Sequence, residues 1–235
     1  MDPASLDIVY FVKDGIRNDE LRYSLRSVDK NMPYNRVWIF GGCSQFVTPD
    51  VRVRVEQEGK TKWDKVRNMY RMVCENKEVT DDFILFNDDF FIMQPTNKID
   101  YLYRCGLDEH IKLIEDGFGH RPTEYTRLLR DCSATLGDRK KLSYELHVPF
   151  VFNKKKLLKL LDEYPNAHCM RTMYGNLYEV GGLQMKDIKA FSDKPSFDYK
   201  NTQFLSTDDG MVNVNNTVWR YIKTQFSKKS KFEDV

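Results

Sequence analysis

Three adjacent polar residues, Asn87, Asp88 and Asp89, lie inside an apolar stretch of the sequence. Residues 83–86 before them and 90–92 after them are Phe, Ile and Leu only. A short apolar run of this kind predicts a buried strand. Carboxylates at the end of a buried strand are costly unless they are compensated, and a divalent cation with a phosphate ligand would compensate them. Asp88 and Asp89 are therefore candidate ligands of Mg²⁺ or Mn²⁺, and Asn87 is a candidate contact to the cofactor.

The same three residues also fit a solvated turn between two strands of a hairpin, because acidic turns are common. If the strand continues instead, the side chains of Asp88 and Asp89 alternate between its two sides, so only one of them faces the metal.

Arginine side chains could bind the phosphate charge that a metal leaves unneutralised, because a guanidinium can donate two parallel hydrogen bonds to phosphate. The candidates are Arg22, Arg26 and Arg171. The alternative for the first two is a surface ion pair on a helix, with Glu20 or Asp29 as the partner.

His147 is the residue best suited to take a proton from an acceptor hydroxyl, because imidazole titrates near neutral pH. A lone histidine is more often structural, and the other three histidines show no spacing that suits zinc.

A second acidic pair, Asp208-Asp209, could orient an acceptor, complete a metal shell or cap a helix. Glycine-rich phosphate-binding motifs and the Gly-x-Ser-x-Gly motif of serine hydrolases do not occur in the sequence.

The elements that would position these residues alternate between strands and helices over the first 95 residues. Apolar runs predict strands at 6–12, 36–40, 51–55 and 83–86, and apolar residues at helical spacing predict helices at 20–31 and 62–77. This order is typical of an α/β fold with a mostly parallel sheet flanked by helices. Ligands bind past the carboxyl ends of the strands in such sheets. Asp14, Gly41 and the Asp88-Asp89 pair all fall at such ends.

The second half of the sequence is less regular. It predicts a helix at 101–116, a partly helical element at 117–138, a strand at 144–152 and a helix at 154–163 after the capping residue Asn153. Pro149 places the strand at a sheet edge. Residues 168–182 have turn character, a helix at 218–226 closes the chain, and the polar residues from 227 onward are expected to be frayed.

The composition bounds the protein class. A chain of 235 residues with 41% hydrophobic residues is long enough for one large domain, and no apolar run reaches the length of about 18 residues that a membrane span needs. Five cysteines without a Cys-x-x-Cys pair predict reduced thiols and a cytoplasmic protein, as does the absence of a secretory leader. A net charge of +2 is not typical of nucleic-acid-binding proteins, but a local basic groove is compatible with it.

Several of these blocks resemble segments of the Stealth family of sugar-phosphate transferases, which act on bacterial capsular polysaccharides and include the catalytic subunit of the lysosomal N-acetylglucosamine-1-phosphotransferase as a relative. Residues 18–28 (NDELRYSLRSV) are similar to its NDELRYSLRS block, and residues 83–92 to its FIYFNDDFF segment. Two further blocks agree in order: residues 147–149 resemble the HMP block, with Arg171-Thr172 downstream, and residues 204–209 resemble FLCLNDD. The similarity spans about residues 7–212. The opening VVYTWVDGSDP block differs, since Trp is replaced and Ser-Asp-Pro is missing.

The resemblance implies a GT-A-type nucleotide-sugar fold in one domain, with a nucleotide-binding half at 7–95, an acceptor and catalytic half at 96–226, and a flexible tail at 227–235. It implies transfer of a sugar-1-phosphate from a UDP-sugar to a hydroxyl of a glycan or cell-surface polymer, with Mg²⁺ or Mn²⁺ bound by Asp89 and, in support, Asp88. The positions that map to donor and catalytic residues are Glu20, Arg22, Ser24, Asp88, Asp89, His147, Arg171 and Asp209.

Two alternatives stay open at this point. Attack at the anomeric carbon, with release of the nucleoside diphosphate, would make the chain an ordinary GT-A glycosyltransferase whose acceptor is a glycan or modified DNA. A non-catalytic carbohydrate- or nucleotide-binding protein that keeps the fold is the alternative from another class.

Overall fold

The computed structural model describes residues 1–13, 17–42, 44–55 and 58–234. In these residues the strands are β1 (Asp7–Val12), β2 (Val37–Gly41), β3 (Arg52–Arg54), β4 (Asp82–Asn87), β5 (Phe90–Ile92), β6 (Leu102–Tyr103), β7 (Phe150–Asn153), β8 (Leu183–Gln184), β9 (Lys189–Ala190) and β10 (Phe204–Thr207). The helices are α1 (Asp19–Asn31), α2 (Lys62–Glu75), α3 (Leu107–Gly117), α4 (Glu124–Leu136), α5 (Lys154–Glu163), α6 (Met170–Leu177) and α7 (Thr217–Gln225).

The central sheet has five strands in the order β3–β2–β1–β4–β7. The first four are parallel, and β7 runs antiparallel to β4 at the edge. Successive residues of β1 point to opposite sides of the sheet, and helices cover each side. Ile8 and Tyr10 belong to the core that α1 closes, whereas Val9 belongs to the core that α2, α5 and α6 close. The predicted α/β class, a mostly parallel sheet flanked by helices, is confirmed.

Local side-chain caps fix where three of the helices begin. The Asn18 side chain accepts a hydrogen bond from the backbone N–H of Leu21 at 2.8 Å and starts α1. Thr61 and Asp64 form a reciprocal capping box at the start of α2, and Asn153 caps α5. Such caps satisfy amides that have no partner inside the helix. The predicted beginnings of these helices, at residues 20, 62 and 154, agree with the structure to within one residue.

Two small sheets extend the fold beyond the central one. β5, β10 and β9 form a three-stranded sheet, and β6 pairs with β8. The three-stranded sheet is packed against α7 through a separate core that contains Phe91, Leu205 and Trp219. Because β5 follows β4 after only two residues, the chain leaves the central sheet at Asp88 and Asp89 and enters the second sheet.

Three predictions in the second half are wrong in part. The helix predicted at 101–116 begins only at Leu107, because residues 102 and 103 pair with β8. The strand predicted at 144–152 begins only at Phe150, since the amides of Tyr144 and His147 bond to side chains of other segments. Residues 168–182 were assigned turn character, but they contain α6. The edge position of β7 is confirmed.

The prediction of a frayed tail is also wrong for the described residues 227–234. Phe232 and Glu233 are buried, and the carbonyl of Phe232 accepts a hydrogen bond from the amide of Thr48 at 2.9 Å. Arg26 of α1 donates two hydrogen bonds of 2.7 Å to the Glu233 carboxylate. The side chains of this ion pair are only 9% and 1% exposed. A charged tail is thus held by a buried counter-charge 207 residues away.

Replacing Arg26 by Ala is expected to lower the free energy of unfolding by about 3 kcal/mol, because it leaves the buried Glu233 carboxylate without its main counter-charge. Denaturant unfolding measures this value. Arg71→Ala is the matched control, since Arg71 and Asp162 form a pair of the same length, 2.7 Å, on the surface. The control should lose less than about 1 kcal/mol. Equal losses in the two variants would contradict a stabilising role for the tail.

Candidate functional site

A cavity of about 940 Å³ lies at the carboxyl ends of β1 and β4. Its wall includes residues that follow these strands, the first turns of α2, and the segments around residues 104, 146, 170 and 187. Four of the predicted site residues lie in this wall: Asn87, Asp88, His147 and Arg171. The fold therefore brings together residues that are up to 84 positions apart in the sequence.

Asp88 is the first residue of the turn after β4. Its Oδ2 accepts a hydrogen bond of 2.5 Å from Nδ2 of Asn18, the residue that also caps α1. Burial raises the pKa of Asp88 to about 6, partly offset by this hydrogen bond, and the charge of Asp89 raises it further. A carboxylate in such surroundings is stabilised when a cation binds beside it.

Asp89 is not among the residues that line the cavity. Its Oδ2 accepts hydrogen bonds from Lys189 Nζ at 3.1 Å and from Ser206 Oγ at 2.8 Å, both in the three-stranded sheet. Residues 88 and 89 form a turn between β4 and β5, so the strand does not continue through them, and Asp88 is the one of the two that lines the cavity. The turn of the alternative interpretation is therefore present, but it does not close a hairpin, because β4 and β5 belong to different sheets. Lys189 and Ser206 bind one carboxylate oxygen of Asp89, and the assignment of Asp89 as the main metal ligand stays a prediction.

Glu20 and Asp209 lie close to this acidic pair, outside the cavity wall. Glu20 accepts a hydrogen bond of 2.6 Å from Thr207 Oγ1. Burial raises the pKa of Glu20 to about 7, and the charges of Asp89, Asp88 and Asp209 raise it further. The neighbouring Asp208 caps a short 3₁₀ helix through the amide of Gly210, so helix capping is the observed role for one residue of the second acidic pair.

Three candidates for donor binding have other partners in the structure. Ser24 is fully buried, donates to the Phe90 carbonyl and contacts the Tyr10 hydroxyl. Arg26 is bound to Glu233 of the tail, and Arg22 lies 3.6 Å from the same carboxylate with its guanidinium over the Phe46 ring. None of the three lines the cavity. The alternative of an ion pair along the helix is observed for Arg22, with Asp19 at 3.8 Å in place of Glu20 or Asp29, and phosphate binding by Arg22 and Arg26 stays a prediction.

Asp14, the remaining candidate, lies outside the described residues. Lys13, which directly precedes it, lines the cavity.

His147 lies in an irregular segment directly before β7, with its imidazole edge-on to the Phe90 ring. Its Nδ1 lies 2.9 and 3.0 Å from the two carboxylate oxygens of Asp187. Arg104 Nη1 donates to Asp187 at 3.1 Å. Sequence reasoning missed Asp187 and Arg104, because neither belongs to a motif and both are distant from His147 in the chain.

Arg171 begins the first turn of α6 and is buried. Its Nη1 donates to the carbonyl oxygens of Leu146 at 2.6 Å and Val148 at 2.9 Å, on either side of His147. Its guanidinium also lies over the Phe90 ring at 5.3 Å. Among the described residues, no carboxylate forms a salt bridge with Arg171. Its charge is therefore available to an anionic ligand in the cavity.

The stability of the folded chain is expected to depend on Asp187 at low pH. Burial alone would raise the pKa of Asp187, but hydrogen bonds and charges of His147 and Arg104 outweigh burial and lower it to about 2. An unfolded Asp has a pKa of about 3.9. Between these two pH values the unfolded state binds more protons than the folded state. The contribution of Asp187 to the free energy of unfolding is therefore complete above about pH 4 and is lost as the pH falls towards about 2.

We therefore expect the difference in free energy of unfolding between the wild type and Asp187→Asn to shrink by about 2 kcal/mol as the pH falls from about 5 to about 2. Denaturant unfolding at each pH measures it. A difference that stays constant over this range would show that Asp187 is not bound as the structure describes.

The cavity fits a divalent cation only together with a bound phosphate. Among the described residues, no group of three His, Cys, Asp or Glu side chains is arranged to hold a metal ion by itself. Mg²⁺ is commonly bound by one or two carboxylates and completes its shell with water and substrate phosphates. Asp88 can supply one such carboxylate, with Asn87 beside it in the wall. These residues can therefore supply only part of a metal shell, and a ligand would have to complete it.

Comparisons with known proteins give structural neighbours only. No protein-family model and no curated protein matches the sequence. The galactosyltransferase LgtC in complex with donor and acceptor sugar analogues has a TM-score of 0.48 and 11% identity, covering 95% of this chain and 96% of that chain. An active-site mutant of LgtC has a TM-score of 0.49 and 11% identity over 94% and 95%. The apo form of the glycosyltransferase GlyE of Streptococcus pneumoniae TIGR4 has a TM-score of 0.44 and 8% identity over 97% and 65%.

These TM-scores are low, so the proposed function rests on the cavity and the sequence blocks that line it. None of the described helices combines the length and the apolar character that crossing a bilayer requires.

Proposed function

We propose that this chain is a transferase that uses a nucleotide sugar as its donor. The observation that carries the proposal is the meeting of Asp88, His147 and Arg171 in one cavity past the ends of two parallel strands. A carboxylate, an imidazole and a guanidinium are the groups needed for binding a metal-bound pyrophosphate, activating a hydroxyl and stabilising phosphate charge. The cavity volume of about 940 Å³ is in the range of small-molecule and cofactor sites.

The charge of the cavity wall supports an anionic donor. Its described residues include six basic side chains and three carboxylates, and the carboxylate of Asp187 is already bound to Arg104. The basic residues are Lys13, Lys60, Lys62, Lys65, Arg104 and Arg171. A cleft with an excess of one charge attracts ligands of the opposite charge. The excess of basic residues therefore fits the pyrophosphate of a nucleotide sugar.

The finer proposal is transfer of a sugar-1-phosphate from a UDP-sugar to a hydroxyl of a glycan or cell-surface polymer. It is supported by the Stealth-like blocks, because Asp88 and His147 come from two of them, Arg171 lies downstream of the second, and all three line the same cavity. His147 takes the hydroxyl proton of the acceptor. The acceptor oxygen then forms a bond to the β-phosphorus while the bond from that phosphorus to the bridging oxygen breaks, and UMP leaves.

Each residue has a distinct task in this reaction. Asp88 would hold Mg²⁺ or Mn²⁺, which when bound supplies positive charge to the pyrophosphate and the leaving group. Arg171 stabilises the negative charge on the transferred phosphoryl group and also fixes the segment that carries His147. The proton on His147 is released to solvent after the product leaves.

Donor binding can be tested by calorimetric titration with UDP-N-acetylglucosamine and with UDP-glucose. We expect binding in Mg²⁺ or Mn²⁺ that weakens at least tenfold, about 1.4 kcal/mol, when EDTA removes the metal. Inorganic phosphate and the free sugars serve as controls and should bind far more weakly. Absence of binding to every nucleotide sugar, or equal binding of free sugars, would contradict the proposal.

A further inference from the structure

Asp187 is the residue most closely engaged with His147. Its side chain is 10% exposed and accepts four hydrogen bonds. The donors are His147 Nδ1, the backbone amides of His147 and Ile188, and Arg104 Nη1, at distances from 2.9 to 3.3 Å. Since an ionised carboxylate only accepts hydrogen bonds, Nδ1 of His147 must carry the proton in this arrangement.

We propose that Asp187 is the positioning residue of the base, which holds His147 in the tautomer whose Nε2 can accept a proton from the acceptor hydroxyl. This inference rests on the proposed function for its catalytic meaning. Asp187 also contacts the main chain of His147, so it fixes both the segment and the ring. A buried carboxylate beside an imidazole stabilises the imidazolium that forms when the proton is taken.

The β6–β8 sheet explains how this carboxylate reaches the site. Arg104 directly follows β6, and Asp187 lies in the short segment between β8 and β9. β6 and β8 are parallel, and the pairing continues through the hydrogen bond from the Met185 amide to the Tyr103 carbonyl at 2.9 Å. Arg104 and Asp187 are thus placed side by side by the same small sheet. Leu102 and Tyr103 of β6 pack against the two cores that flank the central sheet, so this strand pair holds the support of the base in a fixed position.

The other charged groups around His147 do not contact its ring. Arg171 binds the carbonyl oxygens of Leu146 and Val148, and Asp88 and Glu145 line the same cavity. His110, whose pKa is lowered to about 4 by burial, bonds to Ser143 instead. Among the described residues, Asp187 is therefore the carboxylate that is bonded to the imidazole of His147, and Arg104 is bonded to Asp187 in turn.

The first test is Asp187→Asn in the full chain. We expect kcat for transfer to fall roughly 10- to 100-fold, as for other residues that orient a functional histidine, with the donor KM unchanged. The acid limb of the kcat–pH profile should move to lower pH, because the imidazolium loses its carboxylate. In a His147→Ala background the same change should have no further effect on kcat. Asp162→Asn, which removes a surface carboxylate paired with Arg71, is the matched control and should leave kcat unchanged.

Arg104→Gln should shift the acid limb of the kcat–pH profile in the direction opposite to that of Asp187→Asn. It leaves Asp187 beside His147 but removes a charge that neutralises it. The acid limb should therefore move to higher pH. A purely structural role for the Arg104–Asp187 pair predicts lower stability in both variants and no opposed pH shifts.

A spectroscopic readout keeps the inference testable without turnover. Nitrogen NMR of the imidazole, assigned among the four histidines by comparison with His147→Ala, reports the tautomer of His147. In the wild type we expect the Nδ1–H tautomer to predominate more strongly than in Asp187→Asn. An Nε2–H tautomer in the wild type, or additive losses of kcat in the double variant, would overturn the inference. If the protein gives the expected NMR result but turns over no donor, the proposed function would be rejected, whereas the pairing of Asp187 with His147 would stand.

Discussion

Asp88→Asn is expected to reduce turnover of a nucleotide sugar by about 10³-fold, because the loss of a metal-binding carboxylate removes several kcal/mol of stabilisation from the charge on the leaving group. The variant should remain folded. Asn18 can still donate to the amide oxygen of the new side chain, and a repulsive charge near Glu20 and Asp89 disappears. The measurements are donor turnover at saturating metal and the free energy of unfolding, which should change by less than about 1 kcal/mol.

Asp89→Asn provides the comparison for this prediction. Asp89 is bound to Lys189 and Ser206, so its replacement should lower stability more than activity per folded molecule. If folded Asp89→Asn were the inactive variant and Asp88→Asn kept more than a tenth of wild-type turnover, the assignment of the cavity carboxylate would be wrong.

His147→Ala is expected to lower the rate of transfer to an acceptor by 10²- to 10⁴-fold, roughly the range that a general base contributes. Donor affinity measured by calorimetry should stay within about a factor of three, because the loss concerns proton transfer and not donor binding. His120→Ala is the control, since His120 is 81% exposed on the surface and forms an ion pair with Asp116. A His147→Ala variant with normal transfer rates would reject this histidine as the base.

The sequence was most informative where structure depends on local interactions. The starts of α1, α2 and α5 follow from their capping residues Asn18, Thr61 and Asn153, which act within one helical turn. The strands of the parallel sheet follow from short apolar runs. The candidate residues Asp88 and His147 were predicted because each lies in a distinctive block, and Arg171 because it follows the second of these blocks; the fold brings the three together.

The roles that depend on distant contacts could not be predicted. Arg22 and Arg26 were candidate phosphate ligands, but Glu233, more than 200 residues away, binds Arg26 and lies 3.6 Å from Arg22. Which of Asp88 and Asp89 faces the cavity depends on how the chain passes from one sheet to the next, and Asp187 reaches His147 only through the β6–β8 pairing.

α6 was missed for a packing reason. Gly175 stands inside this helix, where glycine normally indicates a break. A Cβ at this position would collide with the ring of Tyr144. Glycine is therefore required here because the ring packs directly against the backbone, and not because the chain turns. Only the three-dimensional contact distinguishes the two uses of glycine.

The most direct test of the claim that this cavity is a transferase site is phosphorus NMR of the purified protein with UDP-N-acetylglucosamine and simple sugar acceptors. The buffer contains Mg²⁺ and no Mn²⁺, and Asp88→Asn is measured in parallel. We expect the wild type to release UMP together with a sugar-1-phosphate or its ester, and Asp88→Asn to leave the donor intact over the same time. Release of UDP would instead identify transfer of the sugar alone. An unchanged donor in the wild type, across UDP-sugars that bind in the calorimetric titration, would contradict the claim that this cavity is a transferase site.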